Sequence, residues 1–310
     1  MKYLRIIRAA IAVVSFMAIP VCHAQVSYEE FYLKGLAYAA QGKFTEAEQE
    51  FRRGLNTDYP FTTPLISCLG IIKDLNSKKI KSQAAAGLFK GISYIDKKEL
   101  PKAMAEFTKV VASEPAYAPA YSQRGSLYSL KGMHDQAIVD FDKAIQLRPH
   151  YAEVYLKRGA TFAIKKMHEK ALSDLNQALS LDPRYAEAYC ARGNVYAEKE
   201  NYLEAISDFT KAINLYAKYE LAYRGRANAY ASVERYNEAL LDLNQLILFD
   251  PKRASLYFTK AILCEKAGFD GEAKDAYGKF IEYAPFTYMD QINYAQQRIA
   301  VLETRVRRRE

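Results

Sequence analysis

Four arginines stand at one fixed spacing from four aspartates. Arg124, Arg158, Arg192 and Arg226 are each followed sixteen residues later by Asp140, Asp174, Asp208 and Asp242. A guanidinium presents a planar fork of donors that matches a carboxylate through two parallel hydrogen bonds. The expectation is an internal ladder that sets how the segments carrying it pack; a row of arginines reading an acidic ligand is the alternative. His134 and His168 share an equivalent position, where Tyr202 and Tyr236 stand further on. No cysteine, aspartate or glutamate cluster joins them at ligand spacing, so no metal is expected. The chain has no glycine-rich phosphate loop, no G-x-S-x-G, no H-E-x-x-H and no C-x-x-C, so neither a catalytic residue nor a cofactor is expected.

The elements that carry these residues come from repetition. Residues 118–151, 152–185 and 186–219 say nearly the same thing three times, 34 residues each and without a gap. Tyr recurs at 121, 155 and 189, Arg-Gly at 124, 158 and 192, and Ala at 137, 171 and 205. The frame extends from 84 to 287, with Ala103 to Ala273 in unbroken register and an aromatic or Leu at Phe107, Phe141, Leu175, Phe209, Leu243 and Tyr277. Proline closes the units at 115, 149, 183, 251 and 285, and Ala217 stands in its place once. Within each unit apolar residues recur at i, i+3/i+4 and i+7, which predicts two amphipathic helices rather than strands. A period of this length means stacked helix pairs.

The organisation expected from this reading starts with a signal peptide over 1–24. A helix pair over 25–61 and an inserted helix and loop over 62–83 follow. Six repeats then run at 84–117, 118–151, 152–185, 186–219, 220–253 and 254–287, and 288–310 forms a capping helix and basic tail. The signal rests on Lys2, Arg5 and Arg8 before an apolar run at 9–21, which is too short to span a bilayer, with cleavage expected after Ala24. Lipidation at Cys22 is the competing reading, disfavoured by Val21 before it. Cleavage lowers the net charge from +8 by three, to +5, and basic and acidic residues alternate along the helices. That distribution does not suggest a nucleic-acid partner. Residues 305–309 read as a cationic helix end. Cys68, Cys190 and Cys264 read as buried small hydrophobes rather than a disulfide framework.

The pattern Tyr121, Gly125, Tyr128, Ala137, Phe141, Ala144, Pro149 resembles the tetratricopeptide repeat, whose signature is W-x2-L-G-x2-Y, A-x3-F and P over 34 residues. The resemblance covers 84–287 strongly and 28–61 more weakly. It implies an all-α, right-handed superhelix of about seven helix-turn-helix repeats with a capping helix, and a non-catalytic scaffold that binds another protein or a peptide. In that family the first helices line a concave groove. Its fifth and ninth positions fall here on Ser122 and Ser126, Leu156 and Ala160, Cys190 and Asn194, Arg224 and Asn228, and Phe258 and Ile262. The lysine-asparagine clamp of some relatives is present only in its asparagines. Asn194 and Asn228 could bond the backbone of an extended peptide. The expected setting is the cell envelope, as a periplasmic adaptor. The alternatives are an accessory subunit of envelope polysaccharide or secretion machinery, or a cytosolic regulator or nucleic-acid binder.

Overall fold

The computed structural model describes residues 23–57 and 63–307. Most of the expected signal segment and the end of the basic tail lie outside these residues. Among the described residues there are sixteen α-helices and no strand. They are α1 His23–Ala40, α2 Phe44–Leu55, α3 Thr63–Asn76, α4 Ser82–Asp96, α5 Leu100–Ser113, α6 Ala118–Leu130, α7 His134–Leu147, α8 Ala152–Ile164, α9 His168–Leu181, α10 Ala186–Glu198, α11 Tyr202–Leu215, α12 Glu220–Ser232, α13 Tyr236–Phe249, α14 Ala254–Ala267 and α15 Asp270–Tyr283; a 3-10 turn at Phe286–Tyr288 leads into α16 Met289–Arg307. The chain divides into two compact units, the first ending at Val195 and the second beginning at Tyr196.

In the first unit α1 pairs with α2, α4 with α5, α6 with α7 and α8 with α9, and α1 also lies against α4. In the second, α11 packs on α12, α12 pairs with α13, α14 with α15, and α16 covers α15. The turn inside a pair is made the same way each time. The second residue after the first helix adopts a left-handed conformation, with φ of +60° at Lys98, +74° at Gly132 and +60° at Lys166. Two backbone amides then reach back over the helix end: Gly132 to Ser129 O at 3.0 Å and Met133 to Tyr128 O at 2.9 Å. This closure satisfies carbonyls the helix leaves orphaned, and it suits glycine best because a Cβ is strained there. Side-chain caps contribute little; the starts of α5, α7 and α9 carry no capping side-chain bond.

What holds each pair is close approach around a buried ring. Phe107 is fully buried, and a Cβ built on Gly91 would lie 2.3 Å from its Cε1. The small frame residues Ala103, Ala137, Ala171, Ala205, Ala239 and Ala273 are all fully buried, which lets the backbones come together. One core joins α1, α2, α3 and α4 through Leu36, Phe51, Leu65, Ile72 and Phe89. Another joins α13, α14, α15 and α16 through Leu243, Cys264, Tyr277, Phe280 and Leu302. Two substitutions separate these effects in chemical denaturation. Lys98→Gly, relieving a strained φ, should raise stability by roughly 0.5 kcal/mol. Gly91→Ala, forcing Phe107 to move, should lower it by roughly 2 kcal/mol.

Candidate interaction groove

The arginine ladder forms, and it faces inward. Arg124 donates from Nε and Nη2 to both carboxylate oxygens of Asp140 at 2.7 and 2.8 Å. Arg158 does the same to Asp174, both at 2.7 Å, and Arg226 to Asp242 at 2.9 and 2.7 Å. The third nitrogen of the fork turns to the preceding repeat: Arg158 Nη1 meets Asp142 at 2.5 Å, Arg192 Nη1 meets Asn176 at 2.6 Å, and Arg226 Nη1 meets Thr210 at 3.0 Å. Each guanidinium also stacks on aromatic rings of its own helix. Arg124 lies 5.7 Å from the Tyr121 ring and 5.9 Å from Tyr128, and Arg226 takes the same distances within 0.1 Å to Tyr223 and Tyr230. Residues three and four apart share a helix face, so the recurrent tyrosines are the walls of the arginine slot. The aspartates are buried, and their partners raise the arginine pKa above its ordinary value; at Arg124 and Arg158 the hydrogen bond to the aspartate is the main cause.

The fifth and ninth positions are distributed unevenly. In the first unit Ser122 is fully buried: the next repeat closes over it through Lys157, whose Nζ stands 3.4 Å from its Oγ. Ser126 spends its hydroxyl on the Ser122 carbonyl at 2.9 Å. Leu156 and Ala160 are half-buried, with Leu156 packed against the cluster of Ala178, Leu179 and Tyr185; Cys190 is buried and Asn194 exposed. In the second unit Arg224, Asn228, Phe258 and Ile262 are all half-buried. Arg224 donates to Glu220 at 2.5 Å, and Glu220 is also held by Arg253, itself bonded to Asp250 at 2.8 Å. Burial would raise the Glu220 pKa, but the two arginines hold it below the ordinary carboxylate range. Phe258 sits 4.8 Å from the Phe280 ring and 6.0 Å from Tyr294 of α16, so it packs partly against the core.

Sequence reasoning missed the rim of the first unit. Ser67 of α3 donates to Glu153 at 2.7 Å, Thr63 donates to Glu187 at 2.8 Å, and Tyr117 donates to Asp74 at 3.1 Å. Glu153 and Glu187 stand second in α8 and α10, and the recurrent Ala-Glu at 152–153 and 186–187 was their only signal. A small cleft of about 170 Å³ lies between α3, α6 and the start of α8, lined by Ile66, Gly70, Pro119, Gln123, Arg148 and Glu153. Burial alone would raise the Glu153 pKa; Lys157 at 2.6 Å, Ser67 and Arg148 together lower it. Among the described residues no group of three His, Cys, Asp or Glu side chains is placed to hold a metal. Among them, too, no helix is long and apolar enough to cross a membrane.

The family description Tetratricopeptide repeat matches residues 118–151, 31–59 and 186–219, and the description TPR repeat matches 164–200. The chain carries tetratricopeptide repeats over these residues. Its fold resembles PilW, described as a widely conserved type IV pilus biogenesis factor, with a TM-score of 0.64 at 15% identity over 70% of this chain and 100% of that one. It also resembles pilF of Pseudomonas aeruginosa, with a TM-score of 0.60 at 16% identity over 69% and 97%. YrrB, described as a TPR protein with an unusual peptide-binding site, gives a TM-score of 0.52 at 21% identity over 62% and 97%. No protein of curated function matches the chain by sequence.

Two measurements probe this geometry. Asp174→Leu should cost roughly 1–3 kcal/mol of folding stability because it leaves two donors of the half-buried Arg158 without their acceptor while Asp142 keeps the third, whereas Arg158→Met with Asp174→Leu should cost less than that single change. Equilibrium unfolding of both variants checks the order. Glu153 has its pKa depressed in the fold, so its contribution is present above the unfolded carboxylate value and is lost as pH falls through the folded one. Glu153→Gln should therefore lower stability by roughly 1 kcal/mol at pH 7, and the difference should vanish on acidification below that depressed pKa, as read by thermal melts across pH.

Proposed function

We propose that the chain is a non-catalytic scaffold that holds another protein, or a peptide segment of one, against the first helices of its repeats, and that it works in the cell envelope after export. The observation that carries this is the division of labour within the repeat. The frame residues Arg124, Arg158, Arg226, Ala137, Ala171 and Phe141 are spent on internal packing. From residue 118 to 287 the fifth position differs in each repeat (Ser122, Leu156, Cys190, Arg224, Phe258), and the ninth runs from Ser126 to Ile262 with Asn at 194 and 228 alone repeated. Variation along a line of positions on helices that share one frame is what selective recognition of an extended partner requires. The fold shared with YrrB and PilW supports the reading, since the first is described as having a peptide-binding site and the second as a pilus biogenesis factor. The apolar run at 9–21 behind Lys2, Arg5 and Arg8 supports export.

A photo-reactive amino acid at Asn228 or Ile262, in cells that make the protein, should give one discrete adduct, and Asn228→Ala should weaken the identified partner's binding about three- to tenfold. The same probe at Leu241, on the second helix and 69% exposed, should give none. Adducts at Leu241 alone would move the binding face elsewhere. N-terminal sequencing should find the mature chain beginning at Gln25, and a chain retaining Met1 in the cytosol would contradict export.

A further inference from the structure

Helix α3 breaks the repeat frame, and its contacts differ in kind from those of the helices around it. One side of it belongs to the core: Leu65, Cys68, Ile71 and Ile72 are each at most 2% exposed. Its polar residues go elsewhere. Asp74 accepts from Tyr117, at the entrance to α6; Ser67 donates to Glu153, in the first turn of α8; Thr63 donates to Glu187, in the first turn of α10. Read from its C-terminal end, α3 therefore makes one polar contact at the start of each of α6, α8 and α10, with Tyr117 the residue just before α6. The geometry fits this path. From 63 to 74 a helix rises about 16 Å at 1.5 Å per residue, close to two steps of about 8–10 Å between packed helices.

In a stack of repeats each unit touches only its neighbours, and stability is a sum of local terms. The bonds of α3 do not obey that rule, since they join residues 43, 86 and 124 apart in sequence. We propose that α3 is a strap: it ties the starts of α6, α8 and α10 to the core of the first helix pairs, so that the repeats up to residue 195 open as one block. The strap also occupies the carboxylates of Glu153 and Glu187, which leaves them unavailable to a partner on that rim. This inference does not depend on the proposed function.

Native-state hydrogen exchange on the full chain tests it, comparing wild type with Thr63→Val/Ser67→Ala. Each change removes a hydrogen bond to a charged acceptor and leaves the buried side of α3 intact. Exchange of the α8 amides and of residues 186–195 in α10 should accelerate about tenfold, while the α5 amides keep their wild-type rates and report an intact fold. Ser126→Ala, which removes a hydroxyl bonded only within its own helix, should leave all of these rates unchanged. Rates at 186–195 within twofold of wild type in the double variant would overturn the proposal. So would an equal acceleration of α5, because that pattern describes general destabilisation without a strap.

Discussion

A carboxylate with about 5% of its surface exposed is a costly thing to bury, and this chain buries the same one repeatedly. Asp140, Asp174 and Asp242 are tolerated because each receives both donors of a planar guanidinium, the geometry in which attraction can offset desolvation. The arginine is in turn fixed by rings on its own helix and by a side chain of the preceding repeat. One residue thus closes a helix pair and sets its contact with the neighbouring pair. Lysine could not replace it, since a point charge lacks the fork. The last repeat shows the consequence: Lys260 keeps only the contact to Asn244, at 2.8 Å, and Ala276 stands where an aspartate would be. There the closing helix supplies the arginine, with Arg298 and Tyr277 both bonded to Glu265.

Because the frame residues are committed to this packing, they cannot also vary to recognise a partner. The freedom lies in positions that the packing leaves half-open. Asn228 and Ile262 are of this kind, while Ser122 is not, because Lys157 of the next repeat seals it in. On the proposed reading, fold and recognition are written on different residues of the same helices. The glutamates at the starts of α8 and α10 belong to neither class; α3 claims them.

Much of this was legible in the sequence because it is periodic. The sixteen-residue offset between Arg158 and Asp174 is a local quantity, fixed by two helices and one tight turn, and it appears in the structure as a bidentate pair. The tyrosines were visible as a stripe, although their role as walls for the arginine needed the ring positions. The path of α3 was not legible. Its partners Glu153 and Glu187 lie 86 and 124 residues away, and no period links them to Ser67 and Thr63. The burial of Ser122 was hidden for a related reason: position within a helix predicts which way a side chain points, but not the reach of a long lysine from the next repeat. Glycine takes the left-handed turn position at Gly42, Gly132 and Gly268, whereas at Lys98 and Lys166 the same left-handed φ is imposed on residues that do not favour it.

The most direct test of the division between frame and surface is a paired measurement on Arg124→Ala, Arg158→Ala and Arg226→Ala: the melting temperature of each, and its affinity for the crosslinked partner at a temperature where it remains folded. The account predicts a lower melting temperature in all three, with affinity preserved. Unchanged melting temperatures together with lost binding would show that the arginines read the ligand and would contradict it.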